Sequence, residues 1–329
     1  MKPVKYVYVL TSSLNDIYYE QFLLSAASLR LYNPDSEIIV LVDNKTNSTL
    51  IDRRSCFKKY ITDIKIIPVP ADVSQKETSR LIKTSIRNHI SGDFLFIDCD
   101  TVITENLSYD FPAEVQIGAV LDTHVPLSAH HIKKAFLKQQ LKSGFNDKYS
   151  LKNYFNSGII FCRDTQETRN FFNLWHELWI KSNKNGVSAD QPSFNRADCE
   201  MNNIITELSG VWNCQISHNG LPYLSDAKII HYYATSLISY EPAYILATDE
   251  ILSSIKKTGE LPAVINKLLD NPKSAFSVKS RVIADTAVLD VLDSSFFSLL
   301  RWLRRKNKKM FFSLNKIFMY IKKAVIKEK

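Results

Sequence analysis

The sequence predicts an α/β protein: a mixed, mainly parallel sheet covered by helices on both faces. Three observations carry that prediction. Over the first 164 residues, short apolar runs alternate with segments of helical spacing. The runs are nearly continuous rather than alternating with polar residues, as strands buried on both faces must be. At 329 residues, 45% of them hydrophobic and 18 of them Phe, the chain can bury a sizeable core.

The elements follow in order. "KYVYVLTS" (5–12) reads as the first strand. "YYEQFLLSAASLRLY" (18–32) has helical apolar spacing, and Asn33-Pro34 stops it. Strands are expected at 37–44 ("EIIVLVDN") and 63–70 ("DIKIIPVP"). The segment 76–90 reads as one helix, with Ile82, Ile86 and Ile90 facing the core and Arg80, Lys83 and Arg87 sharing another face. That basic face is either solvated, or it leans Arg80, with Lys83, toward a phosphorylated ligand. Strands follow at 93–100, 116–123 and 157–164, then a helix at 165–182. Its Phe171, Phe172, Leu174, Trp175, Leu178 and Trp179 form a core-facing stripe. The expected domains are 1–245, a helical extension or linker at 246–275, and a basic helical region at 276–329.

Composition narrows the function classes. Residues 301–329 hold 11 Lys and Arg against one Glu, so the other 300 residues sum to −2 out of the chain's +8. A body this close to neutral disfavours nucleic-acid binding. Met310, Leu314, Ile317, Ile321 and Val325 recur at helical spacing among Lys309, Lys316, Lys322, Lys323 and Lys327. Such a helix suits an anionic membrane surface; packing on its own domain or on a partner is the alternative. The start "MKPVKYVYVLTSS" predicts no signal peptide, and no run of about 18 apolar residues predicts a membrane span. Cys56, Cys99, Cys162, Cys199 and Cys214 include no C-x-x-C pair and read as reduced thiols of a cytoplasmic protein. The eight glycines include no G-x-G, which removes the dinucleotide fingerprint and the phosphate-binding loop. Any phosphate here must be held by side chains or a metal.

"FLFIDCD" (94–100) supplies the candidate site. With 21 aspartates in the chain, about one D-x-D is expected by chance, so Asp98 and Asp100 need context. They end an apolar strand, where ligands bind on such sheets. On a continuing strand the two carboxylates point the same way and repel, unless a cation sits between them and a ligand. A hard ion such as Mg²⁺ or Mn²⁺ shares oxygen ligands with substrate phosphates; capping of a turn is the plainer alternative. Cys99 is expected to point into the core. Downstream, Asn156, Ser157 and Gly158 precede a strand, Asp190 and Gln191 precede a helix, and His231 ends a short apolar run, as a structural residue or a ligand.

In this order the segments "FLFIDCD", "FNSG" (155–158), "ADQPSFN" (189–195), "VWN" (211–213) and "IIHYYA" (229–234) resemble glycosyltransferase family eight. That family has the A-type glycosyltransferase (GT-A) fold, and the similarity spans about residues 5–240. It implies a hexosyltransferase that uses a nucleotide sugar, a UDP-hexose above all. The resemblance assigns Asp98, Asp100 and His231 to a Mn²⁺ or Mg²⁺ ion. Thr11 and Ser12 would lie near base and ribose, Arg80 and Asp98 on the donor, and Asn156, Ser157 and Gly158 in the sugar pocket. Asp190 would bond the sugar hydroxyls and Gln191 would lie near the anomeric carbon. It also implies retention; the basic tail suggests the acceptor, a saccharide or lipid-linked saccharide, as in bacterial surface-polysaccharide assembly. The tail would place the enzyme on the inner face of the cytoplasmic membrane. The chain departs from the family at Ala234 and Leu237, where a glycine and a phosphate-gripping lysine are usual. The remaining alternatives are a metal-dependent sugar-nucleotide hydrolase or nucleotidyltransferase, and a non-catalytic membrane-associated relative.

Overall fold

A computed structural model describes residues 4–108, 111–130, 133–145, 151–233, 244–276, 291 and 294–325. The chain divides into two compact units, Met1–Phe276 and Ser277–Lys329. The elements of the first are β1 (Lys5–Leu10), α1 (Tyr18–Tyr32), β2 (Ile38–Val42), α2 (Asn44–Ser48), β3 (Asp63–Ile66), α3 (Gln75–Thr84), α4 (Ile86–His89), β4 (Phe94–Ile97), β5 (Thr101–Ile103), β6 (Ile117–Leu121), α5 (Lys133–Lys142), β7 (Phe155–Cys162), α6 (Gln166–Lys184), α7 (Gln191–Glu200), β8 (Ile205–Glu207), β9 (Cys214–Gln215), β10 (Ile229–His231), α8 (Asp249–Thr258) and α9 (Ala263–Leu269).

The large sheet has the order β3-β2-β1-β4-β7-β6-β8. Its pairings are parallel except those of β7, which runs antiparallel to β4 and β6. The architecture is thus the mixed, mainly parallel α/β class that the apolar runs predict. A small sheet, β5-β10-β9, stands apart from it. The chain passes from the large sheet to the small one through only Asp98, Cys99 and Asp100, between β4 and β5.

Alternation along the strands feeds a core on each face. Tyr6, Tyr8 and Leu10 of β1 join Phe22 and Leu23 of α1 on one side; Val7 and Val9 join Ile82, Ile86, Phe171 and Trp175 on the other. Residues 246–275, read from sequence as an extension or linker, pack into the first of these cores: Leu252, Ile255, Ile265 and Leu269 lie in the same cluster as α1.

The 76–90 segment is not one helix. It starts at a capping box, Ser74 with Glu77, and breaks at Ser85. The Ser85 hydroxyl donates to the carbonyl oxygens of Leu81 (2.8 Å) and Ile82 (3.2 Å), a back-bonding that competes with the helical ladder. Ile82, Ile86 and Ile90 face the core as predicted. The basic face is buried rather than solvated: Lys83 and Arg87 are 2% and 1% exposed. Arg87 stacks over the Phe94 ring and donates to the Gly92 carbonyl at 2.8 Å, so it serves the fold. β7 begins at Phe155, so Asn156, Ser157 and Gly158 lie within a strand, not before it.

The second unit holds α10 (Ser295–Lys306) and α11 (Lys308–Val325). Ser294 caps α10 by accepting from Phe297 N, and Phe296 meets Phe318 edge-on at 6.0 Å. Phe296, Trp302, Met310, Ile317 and Ile321 are exposed beside the basic residues, while Leu314 is half-buried. The side chains of residues 322–329, including Val325, Lys322, Lys323 and Lys327, lie outside the described residues. Among the described residues no helix is long and apolar enough to cross a membrane.

Trp175 ties the second core to what lies above it. It is fully buried against Phe171, Phe172 and Phe194, and its indole Nε1 donates to the Asp190 carbonyl at 3.2 Å. Trp175→Ala is expected to lower the unfolding free energy by about 3–5 kcal/mol, read by urea denaturation.

Candidate active site

Strand register builds the site. Ile97 pairs with Ile159, and beyond them Asp98 N donates to the Gly158 carbonyl at 2.8 Å, which holds Asp98 against β7. On the other sheet His231 is in register with Thr101, and Tyr232 N donates to the Asp100 carbonyl at 3.1 Å. The expectation of two carboxylates on one continuing strand is therefore corrected. The strand stops at Ile97 and a new one starts at Thr101, so Asp98 belongs to one sheet and Asp100 to the other. Their convergence with His231 comes from the junction of the sheets. One ligand atom from each of Asp98, Asp100 and His231 lies within 4.8 Å of the others, and His231 Nε2 is 3.2 Å from Asp100 Oδ1.

A chain of hydrogen bonds fixes the histidine. Gly158 N can only donate, and it donates to Asn156 Oδ1 at 2.9 Å. Asn213 Nδ2 donates to the same oxygen at 2.9 Å, which turns Asn213 Oδ1 toward His231 Nδ1 at 3.0 Å. Nδ1 therefore carries a proton, and Nε2 faces the Asp100 carboxylate. Two acceptors 3.2 Å apart need a cation between them, either a proton on Nε2 or a metal ion. An outer partner that sets the tautomer is the usual support of a metal-binding histidine. The glycine itself is required by close approach: a Cβ at Gly158 would lie 2.5 Å from His231 Cε1 and 3.0 Å from Asp98 Oδ2.

Electrostatics divide the carboxylates. Burial, with Asp100 adding to it, raises the Asp98 carboxyl above its ordinary value against the pull of Lys83. Burial also acts on Asp100, but His231 outweighs it and holds that carboxyl low. Asp190 stands at the N-terminus of α7, with Gln191 the first residue of the helix. Its carboxylate meets Arg80 Nε at 2.8 Å, Lys83 Nζ at 3.0 Å and the Ser157 hydroxyl at 2.9 Å. Against burial, first Lys83 and then Arg80 keep Asp190 well below the usual carboxylate range. Lys83 also lies 3.4 Å from Asp98 Oδ1, so one buried ammonium bridges the Asp98 end of the site to the Asp190 end.

A cavity of about 400 Å³ opens beside this cluster, walled by Thr11, Gln75, Arg80, Asp98 and Asp100 among others. Thr11 is where a nucleotide contact was expected. Ser12 does not line the cavity. Its hydroxyl donates to Asp16 at 2.7 Å and accepts from Arg54 at 2.6 Å, so it is spent on holding the loop after β1. Cys99 packs against the core and also lines the cavity; burial and the two flanking carboxylates push its thiol well above the ordinary value, so it stays neutral. Asn156, Ser157, Gly158, Asp190, Gln191 and His231 form a second group, joined to the cavity wall through Arg80 and Asp98. Gln191 Oε1 lies 3.4 Å from both Ser157 N and Asn156 Nδ2.

Three members of the site escaped the sequence reading. Asp122, at the end of β6, accepts from Asn156 Nδ2 at 3.1 Å. Tyr233 stacks on His231 at 3.9 Å, accepts from Asn156 Nδ2 at 2.8 Å and has a φ of 51°, a strained conformation for tyrosine. Asn213 was visible only as part of "VWN", with no role attached. The departures at Ala234 and Leu237 lie outside the described residues.

The family model described as "Glycosyl transferase family 8" matches residues 9–236. Among solved structures, the chain is similar to mouse xyloside xylosyltransferase 1 in its apo form: 12% identity, covering 72% of this chain and 100% of that one, TM-score 0.46. It is similar to the galactosyltransferase LgtC in complex with donor and acceptor sugar analogues: 15% identity, 80% of this chain and 99% of that one, TM-score 0.49. No curated protein is a significant match. The matched segment holds the whole site, from Thr11 to Tyr233, and more than half of the chain: the protein belongs to glycosyl transferase family 8 and is a glycosyltransferase.

Proposed function

We propose that this enzyme moves a hexose from a UDP-hexose to a saccharide or lipid-linked saccharide, with retention at the anomeric carbon, using Mn²⁺ or Mg²⁺ at Asp98, Asp100 and His231. The observation that carries this reading is the meeting of those three side chains within 4.8 Å beside a cavity of nucleotide-sugar size. Two carboxylates and an imidazole fit a divalent cation such as Mn²⁺. When bound there, such an ion stabilises the charge growing on the departing diphosphate.

The chain's own residues do the rest. Arg80 lies on the cavity wall, where its guanidinium faces a diphosphate while Asp190 holds it from behind. Thr11 and Gln75 border the nucleotide end, and Ser12 shapes that loop without touching the ligand. Asp190 stays ionised and accepts hydrogen bonds from sugar hydroxyls. Its oxygens are already engaged by Arg80, Lys83 and Ser157, which makes it a weak nucleophile. That disfavours a covalent sugar–enzyme intermediate at Asp190. Gln191, over Asn156 and Ser157, borders the reacting carbon. Asp100→Ala is expected to lower UDP-hexose turnover by about 10²–10³-fold and to abolish its Mn²⁺ dependence. Full turnover with unchanged metal dependence contradicts the assignment.

The same reading places the enzyme at the cytoplasmic face of a membrane. Exposed Phe296, Trp302, Ile317 and Ile321 stand among Arg301, Arg305, Lys309 and Lys316 on α10 and α11, which suits an anionic lipid surface. Deleting residues 301–329 is expected to abolish sedimentation with phosphatidylglycerol vesicles; unchanged sedimentation rejects the membrane role.

A further inference from the structure

A second groove, of about 360 Å³, opens next to the donor cavity. Its walls are the N-terminus of α3, one face of α5 and residues 186–189, and Lys76 lines both this groove and the donor cavity. Ser188 and Ala189 in its wall lead directly into Asp190. The groove thus adjoins the donor cavity at Lys76 and borders the segment that carries Asp190.

Its charge is the informative feature. Lys76, Lys138 and Lys142 line it, and Lys138 and Lys142 stand one helical turn apart on α5. Among the described residues none of these three ammonium groups has an acidic partner within 4 Å. This contrasts with Arg80 and Lys83, further along the same helix as Lys76, which are both paired. The lysine-bearing helix is also firmly placed. Gln140 of α5 donates to the Pro192 carbonyl at 2.7 Å, and Ser182 donates at 2.9 Å to the hydroxyl of Ser143, just past the end of α5, so α5 is tied to the first turn of α7 and to α6.

We propose that this groove is the acceptor subsite and that the acceptor is an anionic saccharide, its phosphate or carboxylate held by Lys138, Lys142 and Lys76. Unpaired positive charge lining a groove raises the local concentration of an anionic ligand and orients its charged end. The proposal rests on the glycosyltransferase reading of the adjoining cavity.

The test is titration calorimetry on the full chain, loaded with UDP and Mg²⁺, with glucose 6-phosphate, glucuronate and glucose as probes. At least one of the two anions is expected to bind about tenfold more tightly than glucose, from a few exposed ion pairs. Raising NaCl from about 0.05 M to about 0.5 M is expected to shrink the difference. The tighter anion identifies phosphate or carboxylate as the group recognised. The double variant Lys138→Glu/Lys142→Glu changes only exposed side chains, and its thermal melt reports that it folds; it is expected to lose the preference. Equal affinity for the three sugars, or a preference that survives in the double variant, overturns the proposal. UDP binding, measured first, is the separate check: if UDP with Mg²⁺ does not bind, the donor reading fails and the acceptor proposal fails with it.

Discussion

Where the two sheets join, Asp98 repels Asp100 and shares Lys83 with Asp190, and placing these three carboxylates is the constraint that organises this molecule. Desolvation disfavours the charge on each of them, and cations are built in beside them. They are Lys83, between Asp98 and Asp190, and Arg80, on Asp190. Neither makes a close ion pair with Asp100; both act on it from farther off, and its near partner is His231. The built-in cations thus satisfy the Asp190 end and leave the Asp100 end for a further positive charge. Breaking such a buried cluster by removing one partner typically costs about 3–5 kcal/mol, so residues of the site also bear on stability.

The same constraint explains features that look unrelated to charge. Gly158 is small because His231 and Asp98 close over it. Asn156 and Asn213 form a relay that starts at a backbone N–H and ends by fixing a histidine tautomer. Trp175 donates to the Asp190 carbonyl, so the aromatic core under α6 helps to set the position of the charged cluster. Tyr233 accepts a strained backbone and in return lays its ring on His231. Each of these residues holds another in place; none needs to touch a ligand.

Much of this was legible in the sequence. Continuous apolar runs identified most strands of the large sheet, and the segments that carry Asp98, Asp190 and His231 were singled out as a candidate site whose residues the fold does bring together. What was not legible depended on pairing between distant segments. Hydrophobic spacing cannot tell that the chain leaves one sheet at Ile97 and enters another at Thr101, because both sides of Asp98–Asp100 are apolar. It also leaves open whether the face of Lys83 and Arg87 is solvated. They are buried, and their partners, Asp190 and Asp164, lie 107 and 77 residues further along the chain. The partners of Ser12 were hidden for the same reason: Arg54 and Asp16 claim its hydroxyl. Tyr233 carries no local signal, since a positive φ is unexpected for tyrosine.

That the Asp100 end awaits a divalent cation is open to direct observation. Anomalous diffraction at the manganese edge, from crystals of the full chain grown with MnCl₂ and UDP, locates the ion without reference to activity. A single peak within about 2.3 Å of a carboxylate oxygen of Asp98 and of Asp100, and of His231 Nε2, is the predicted result. A peak elsewhere, or none while UDP occupies the cavity, would contradict it.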